Sequence, residues 1–229
     1  DIGIKLSGEL GPVNIGVLST HMDKTDVLDS QALSTMRVSS ALSDDTKIGL
    51  VATQGDPSGQ INQSLLGIDY QYRKPLQSGG TFTVDTAFIQ GSGDDQADGS
   101  FAGIATKFQN DDWQALLNIR RFGEDYDPRL GFVNRTGITR YDYIIWRFWR
   151  PEVESIRQFD LGIQGSTNIE INGRGDDRNI GVFANMAHPQ GGRISLSAKS
   201  NSTDLDNPFA IAGLLPVLPK LYQYGRGRF

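Results

Sequence analysis

The feature that most constrains this chain is a two-residue alternation of apolar and polar side chains over segments of about 9–13 residues, where strands of soluble domains usually have about 5–6. Leu66, Ile68, Tyr70 and Tyr72 fall on one side, with Gly67, Asp69, Gln71 and Arg73 on the other. Phe159, Leu161 and Ile163 oppose Asp160, Gly162, Gln164 and Ser166, while Ile194, Leu196 and Ala198 oppose Arg193, Ser195, Ser197 and Lys199. The opening residues set Ile2, Ile4 and Leu6 against Gly3, Lys5 and Ser7. Successive strand side chains point to opposite faces, so each segment has one apolar and one polar wall. A tilted strand of about 9–11 residues crosses a bilayer.

The pattern predicts twelve strands, at 1–10, 13–22, 31–43, 46–54, 62–73, 80–91, 100–109, 112–122, 138–149, 158–170, 178–187 and 192–200. Only 138–149 is ambiguous, because Tyr143-Ile144-Ile145-Trp146 is apolar on both faces. The connections alternate in length. Gly11-Pro12, Asp44-Asp45, Asn110-Asp111 and His188 to Gly191 are tight, and Lys74 to Gly79 and Arg150 to Arg157 are intermediate. Between them lie Asp23 to Ser30, Gly55 to Ile61, Ser92 to Gly99, Gly123 to Gly137, Ile171 to Asp177 and a long stretch from Asn201. Short periplasmic turns and longer outer loops give outer-membrane barrels this rhythm. Aromatic pairs bracket three of the shorter connections, Tyr72 with Phe82, Phe108 with Trp113 and Trp149 with Phe159. Rings are favoured there at the headgroup level.

These signs predict an all-β fold, an antiparallel up-and-down transmembrane β-barrel. About twelve strands are visible in a barrel of about 14–16. Residues 1–229 form a single segment with no separate soluble domain. Closed bacterial barrels have even strand numbers and both ends in the periplasm, so the segment is expected to be incomplete at both ends. Leu221-Tyr222-Gln223-Tyr224 can begin a further strand, although Tyr222 and Tyr224 have the wrong parity for Phe229 to close it as an assembly signal.

Composition excludes several functions. No cysteine is present, and His21 and His188 are the two histidines, so thiol catalysis and His-rich metal sites are set aside. A net charge of −5 is unsuited to nucleic acid. The expected surroundings are the outer membrane of a Gram-negative cell, with lipid bilayer and lipopolysaccharide as partners.

The segment Phe122-Gly123-Glu124-Asp125-Tyr126-Asp127-Pro128-Arg129-Leu130-Gly131-Phe132-Val133, followed by Arg135 and Arg140-Tyr141, is more specific. It resembles the G-E-D-F-x-P-x-x-G-F-V segment of a family of uncharacterised bacterial proteins. Those pair an N-terminal carbohydrate-binding, family-9-like sandwich with a C-terminal outer-membrane barrel. Asp112-Trp113, Arg120-Arg121 and the basic–aromatic run from Arg147 to Pro151 are also similar, whereas Asn134 stands where a basic residue or proline is expected. The resemblance implies a barrel that anchors, or forms a conduit for, a carbohydrate-binding domain, with an oligosaccharide or other polar solute as ligand. No sugar-binding sandwich lies within these residues, so its chemistry is not implied for them.

On its own physics the segment predicts an ordered loop. Asp127-Pro128 favours a turn, Gly123 and Gly131 relieve the backbone, and Leu130 and Phe132 are expected to fold inward. The polar wall predicts that Lys5, Asp69, Arg73, Asp85, Asn118, Arg120, Asp160, Gln164, Asn168 and Lys199 face a lumen. Either they bind or pass a polar solute, or they pair with one another and fill the barrel.

No catalytic site and no cofactor are expected. Acidic outer loops (Glu124, Asp125 and Asp127; Asp94, Asp95 and Asp98; Asp176-Asp177) offer calcium ligands, but none has EF-hand spacing. Ser195 lacks a nucleophile-elbow pattern, Gly91-Ser92-Gly93-Asp94-Asp95 lacks the helix of a phosphate cradle, and Arg174-Gly175-Asp176 is a weak adhesion tripeptide. The alternatives are a soluble all-β ligand- or glycan-binding module with the apolar face inward, and a barrel enzyme with loop carboxylates.

Overall fold

The computed structural model describes residues 1–26, 28–94, 96–173, 176–204, 218 and 220–228. Within them the chain forms thirteen strands and no helix. These are β1 (Ile2–Leu10), β2 (Val13–Met22), β3 (Gln31–Ser43), β4 (Thr46–Gln54), β5 (Gln63–Pro75), β6 (Thr81–Gly93), β7 (Gln96–Gln109), β8 (Trp113–Phe122), β9 (Ile138–Trp149), β10 (Gln158–Glu170), β11 (Asp176–Ala187), β12 (Arg193–Asp204) and β13 (Leu221–Arg228). Each strand pairs with its neighbours in the chain, giving one antiparallel up-and-down sheet in the order β1 to β13. The sheet is not closed: among the described residues no pairing joins β1 to β13. Tight turns such as Gly11-Pro12 permit this meander, with Gly11 in the left-handed region at φ 60°.

All twelve expected strands are present, and the tail beginning at Leu221 supplies the thirteenth. The long polar loop expected at 92–99 is corrected. β6 runs on to Gly93 and β7 starts at Gln96, so the connection contracts to 94–95 and interrupts the short–long rhythm. β12 likewise continues to Asp204. These extensions carry serine, glycine and aspartate on both faces, so backbone pairing continues where no apolar period reveals it. At the extended end of β6, the Ser92 hydroxyl meets that of Ser64 on β5 at 3.2 Å.

Spatial proximity divides the chain into two compact units: Asp1–Lys74 with Thr83–Ile104 and Arg120–Ile138, and Pro75–Phe82 with Ala105–Ile119 and Thr139–Phe229. In the first, register aligns Leu6, Val17, Met36, Ala52 and Leu66 in one apolar row across β1 to β5. A neighbouring row on the same face holds Ile15, Val38, Leu50 and Ile68. Among the described residues nothing covers this face; Leu6 is 66% exposed and Leu66 64%. The buried apolar residues among those described are Tyr126 and Ile138, both at one end of the unit, so there is no conventional core.

The second unit repeats the arrangement. Phe159, Met186 and Ile194 form one apolar row across β10 to β12, and Leu161, Ala184 and Leu196 form the next. Phe159, Leu161, Ile194 and Leu196 are exposed. The opposite face is filled by aromatic rings seated over glycines. A side chain on Gly162 would collide with the ring of Trp146, whose centroid lies 5.8 Å from that of Phe183. This settles the ambiguous strand: Trp146 takes the face of Gly162, while Ile145 and Trp149 are exposed on β9 at odd positions. Gly162→Val is therefore expected to cost about 1–3 kcal/mol through overpacking. The midpoint of urea unfolding measures it, and the cost should shrink in a Trp146→Ala background. An unchanged midpoint would show that the ring does not need this hollow.

Candidate functional site

The polar face of the first unit is built from side chains that reach across strands. Register places Gly49 of β4 opposite Asp69 of β5 and beside the row of Arg37 of β3. Because Gly49 has no side chain, the Arg37 guanidinium crosses β4 and donates through both terminal nitrogens to Asp69, with Nη2 to Oδ1 at 2.8 Å. A Cβ at Gly49 would lie 2.5 Å from Arg37 Nη2 and 2.7 Å from Asp69 Oδ2. Two residues along, Gln71 Nε2 donates to Asp85 Oδ1 of β6 at 2.8 Å. Arg73 follows at the next same-face position of β5. Arg120 on β8 lies over Gly103 beside Phe101, and Asn118 precedes it on the same face of the strand.

At one end of this unit the 123–137 connection is tied down. Tyr126 is buried against Phe101 and Phe122, with centroids at 6.0 and 6.4 Å. Burial raises its phenol above the ordinary value. The Gly123 amide donates to Ser100 O at 2.8 Å, the Gly137 amide to Gly123 O at 3.2 Å, and the Gly131 amide to Pro128 O at 2.8 Å. Asp127 pairs with Arg129 Nε at 2.8 Å, and the Arg129 amide donates to the buried Gln63 Oε1 at 3.0 Å. Phe132 corrects the expectation of an inward ring, being 86% exposed; the apolar anchor of the loop is Tyr126.

Asp56, 2% exposed, organises the facing connection at 55–62. It accepts hydrogen bonds from the amides of Ser58, Gln60 and Ile61 and from the Ser58 hydroxyl, while Arg129 Nη1 stands 3.7 Å away. Burial opposes its charge, but the Ser58 and Ile61 bonds and the Arg129 guanidinium outweigh burial and hold its carboxyl below the usual 3.8.

In the second unit Asp160 is buried, accepting from Gln158 Nε2 at 2.5 Å with Arg193 Nη2 at 4.0 Å. Gln164 lies opposite Gly181 on the same face, and Lys199 opposite Gly181 on its other side. The other face carries a belt beside the 110–112 connection. Arg147 lies 4.9 Å from the Trp113 ring and 5.5 Å from Trp149, and pairs with Asp112 at 3.1 Å. Trp149 packs on Phe159 at 5.5 Å, and Arg150 donates to Asp111 O at 2.7 Å.

Among the described residues no three His, Asp or Glu side chains stand close enough to hold a metal ion. Asp95, Arg174-Gly175, the Asp176 side chain and Phe229 lie outside the described residues. His188 Nδ1 accepts the Gln190 amide at 3.2 Å within its turn, and His21 lies opposite Ile2 and Ala32 in the apolar rows. No protein-family model matches the chain, and neither a curated protein nor a solved structure shows significant similarity to it.

Sequence reasoning missed Arg37, Asp56 and Gln63. Arg37 did leave a signal, since Met36 and Val38 alternate with Thr35, Arg37 and Ser39. Asp56 and Gln63 left none, because their partners lie on a distant loop. The depressed Asp56 carboxyl stabilises both connections above its ordinary value, and that contribution is lost as pH falls through the folded value. Cleavage of 123–137 by an acid-active protease is therefore expected to rise only below about pH 4. Asp56→Ala, which removes the shared acceptor of these part-buried donors at a cost of about 1–3 kcal/mol in all, should make the loop labile at neutral pH.

Proposed function

We propose that the chain is a run of membrane-spanning strands from an outer-membrane β-barrel of a Gram-negative bacterium. In this reading it is an anchor or conduit for a periplasmic carbohydrate-binding domain, with a polar solute on its inner wall. The observation that carries the reading is the exposed apolar wall, opposed by a face of cross-strand polar pairs. Leaving a large apolar side chain in water forfeits about 1.5–3 kcal/mol. The two rows of the first unit alone would sacrifice as much as a whole domain's stability, about 5–15 kcal/mol. Lipid removes that cost. The Trp113–Arg147–Trp149–Phe159 belt then lies at the headgroup level, where aromatic and cationic side chains are favoured.

A soluble module with its apolar face inward would need a second layer over rows that lie uncovered here. A barrel enzyme would need a pair of free carboxylates at one rim, whereas the loop acids Asp56 and Asp127 are engaged by Ser58 and Arg129.

The test is membrane partition of the full-length protein, with gel mobility compared before and after heating in detergent. Recovery in the outer membrane with a heat-dependent shift is expected. A monodisperse protein in water without detergent would sink the membrane reading.

A further inference from the structure

The polar face of β10 to β13 holds an arrangement that neither lumen filling nor membrane anchoring requires. Register sets Lys199 of β12 directly opposite Arg226 of β13, with Gly181 of β11 and Gln164 of β10 continuing the row. Like charges directly opposite on paired strands repel and destabilise a sheet. Two other polar-face cations are matched, Arg37 by Asp69 and Arg193 by Asp160. Among the described residues neither Lys199 nor Arg226 has an anionic partner. The carboxylates on this face are committed: Asp160 to Gln158 and Arg193, and Asp177 and Glu170, further along toward 171–175, to partners of their own.

The cations stand beside an aromatic floor. Gly181 leaves a hollow into which the Phe183 ring folds, 2.8 Å from where a Cβ would sit. Trp146 supports that ring from over Gly162, and Lys199 Nζ lies 5.3 Å from its centroid. Ser197, Asn201 and Tyr224 complete the walls of an open hollow of about 690 Å³. That size suits a small molecule. Two unmatched cations, a π-face and neutral hydrogen-bonding groups together define one ligand chemistry.

We infer that Phe183, Lys199 and Arg226 form a binding site for a small anion carried on a ring that can lie face-on against an aromatic side chain, a carboxylate or phosphate attached to a sugar or an aromatic ring. The anion neutralises the Lys199–Arg226 pair, the ring lies against Phe183, and Asn201, Ser197 and Tyr224 bond its polar substituents. Within the proposed barrel this is a solute site on the inner wall, but it depends on strand register and not on the bilayer.

The experiment is calorimetric titration of the full-length protein, in detergent or in water according to how it purifies. Glucuronate and benzoate serve in separate arms as sugar-borne and aromatic-borne anions, with glucose and inorganic phosphate as controls. Saturable binding of at least one ring anion is expected, tenfold or more tighter than either control. Lys199→Gln with Arg226→Gln should weaken it at least tenfold, whereas Arg157→Gln, in an exposed turn, should leave it unchanged. Phe183→Leu should lower affinity for the ring anion while leaving phosphate binding as it was. No binding, equal binding of glucose or phosphate, or insensitivity to the double substitution would each overturn the site. A membrane protein that fails to bind loses the site and keeps the anchor; a water-soluble one that binds loses the anchor and keeps the site.

Discussion

Backbone hydrogen bonding between chain neighbours is the interaction on which everything else here depends. Each strand from β2 to β12 pairs its amides and carbonyls with the strands before and after it, leaving the side chains to divide between two faces. Once that ladder is fixed, the apolar rows of β1 to β5 and of β10 to β12 follow from register alone. So does the meeting of Arg37 with Asp69 over Gly49. A slip of one residue in β4 would turn Leu50 to the polar side and place another side chain where the guanidinium passes.

Much of this was legible in the residues. Period and turn composition locate twelve strands because they are local properties, carried by runs such as Leu66 to Arg73. The ends of β6, β7 and β12 were not legible, because Ser92, Gly93, Asp98 and Ser202 pair through backbone without an apolar period. Phe132 misled for a different reason. Its hydrophobicity favours burial, but the Pro128–Gly131 turn aims it outward and Tyr126 occupies the hollow beside Phe101 and Phe122. The polar wall was visible as a list but not as pairs, since Asp69 and Arg37 stand on strands separated by a third.

The glycines of the strands explain how a face can be polar and still carry large rings. Gly162 and Gly181 are positions where the sheet is thin, and Trp146 and Phe183 lie in those depressions instead of projecting from the surface. Glycine weakens a strand locally, and the ring that covers it restores packing. The same device brings Lys199 over the Phe183 ring, 5.3 Å from its centroid.

The Arg129 contacts with Gln63 and Asp56 have a consequence for the order of assembly. They join two loops far apart in sequence, and their donors and acceptors come into reach only when β5 through β8 have all paired in the right register. Loop closure over such a distance gains nothing until the intervening hairpins have formed. The tie therefore works as a checkpoint: a sheet assembled one step out of alignment leaves Asp56 and Gln63 without Arg129, and the 123–137 connection stays open to proteolysis.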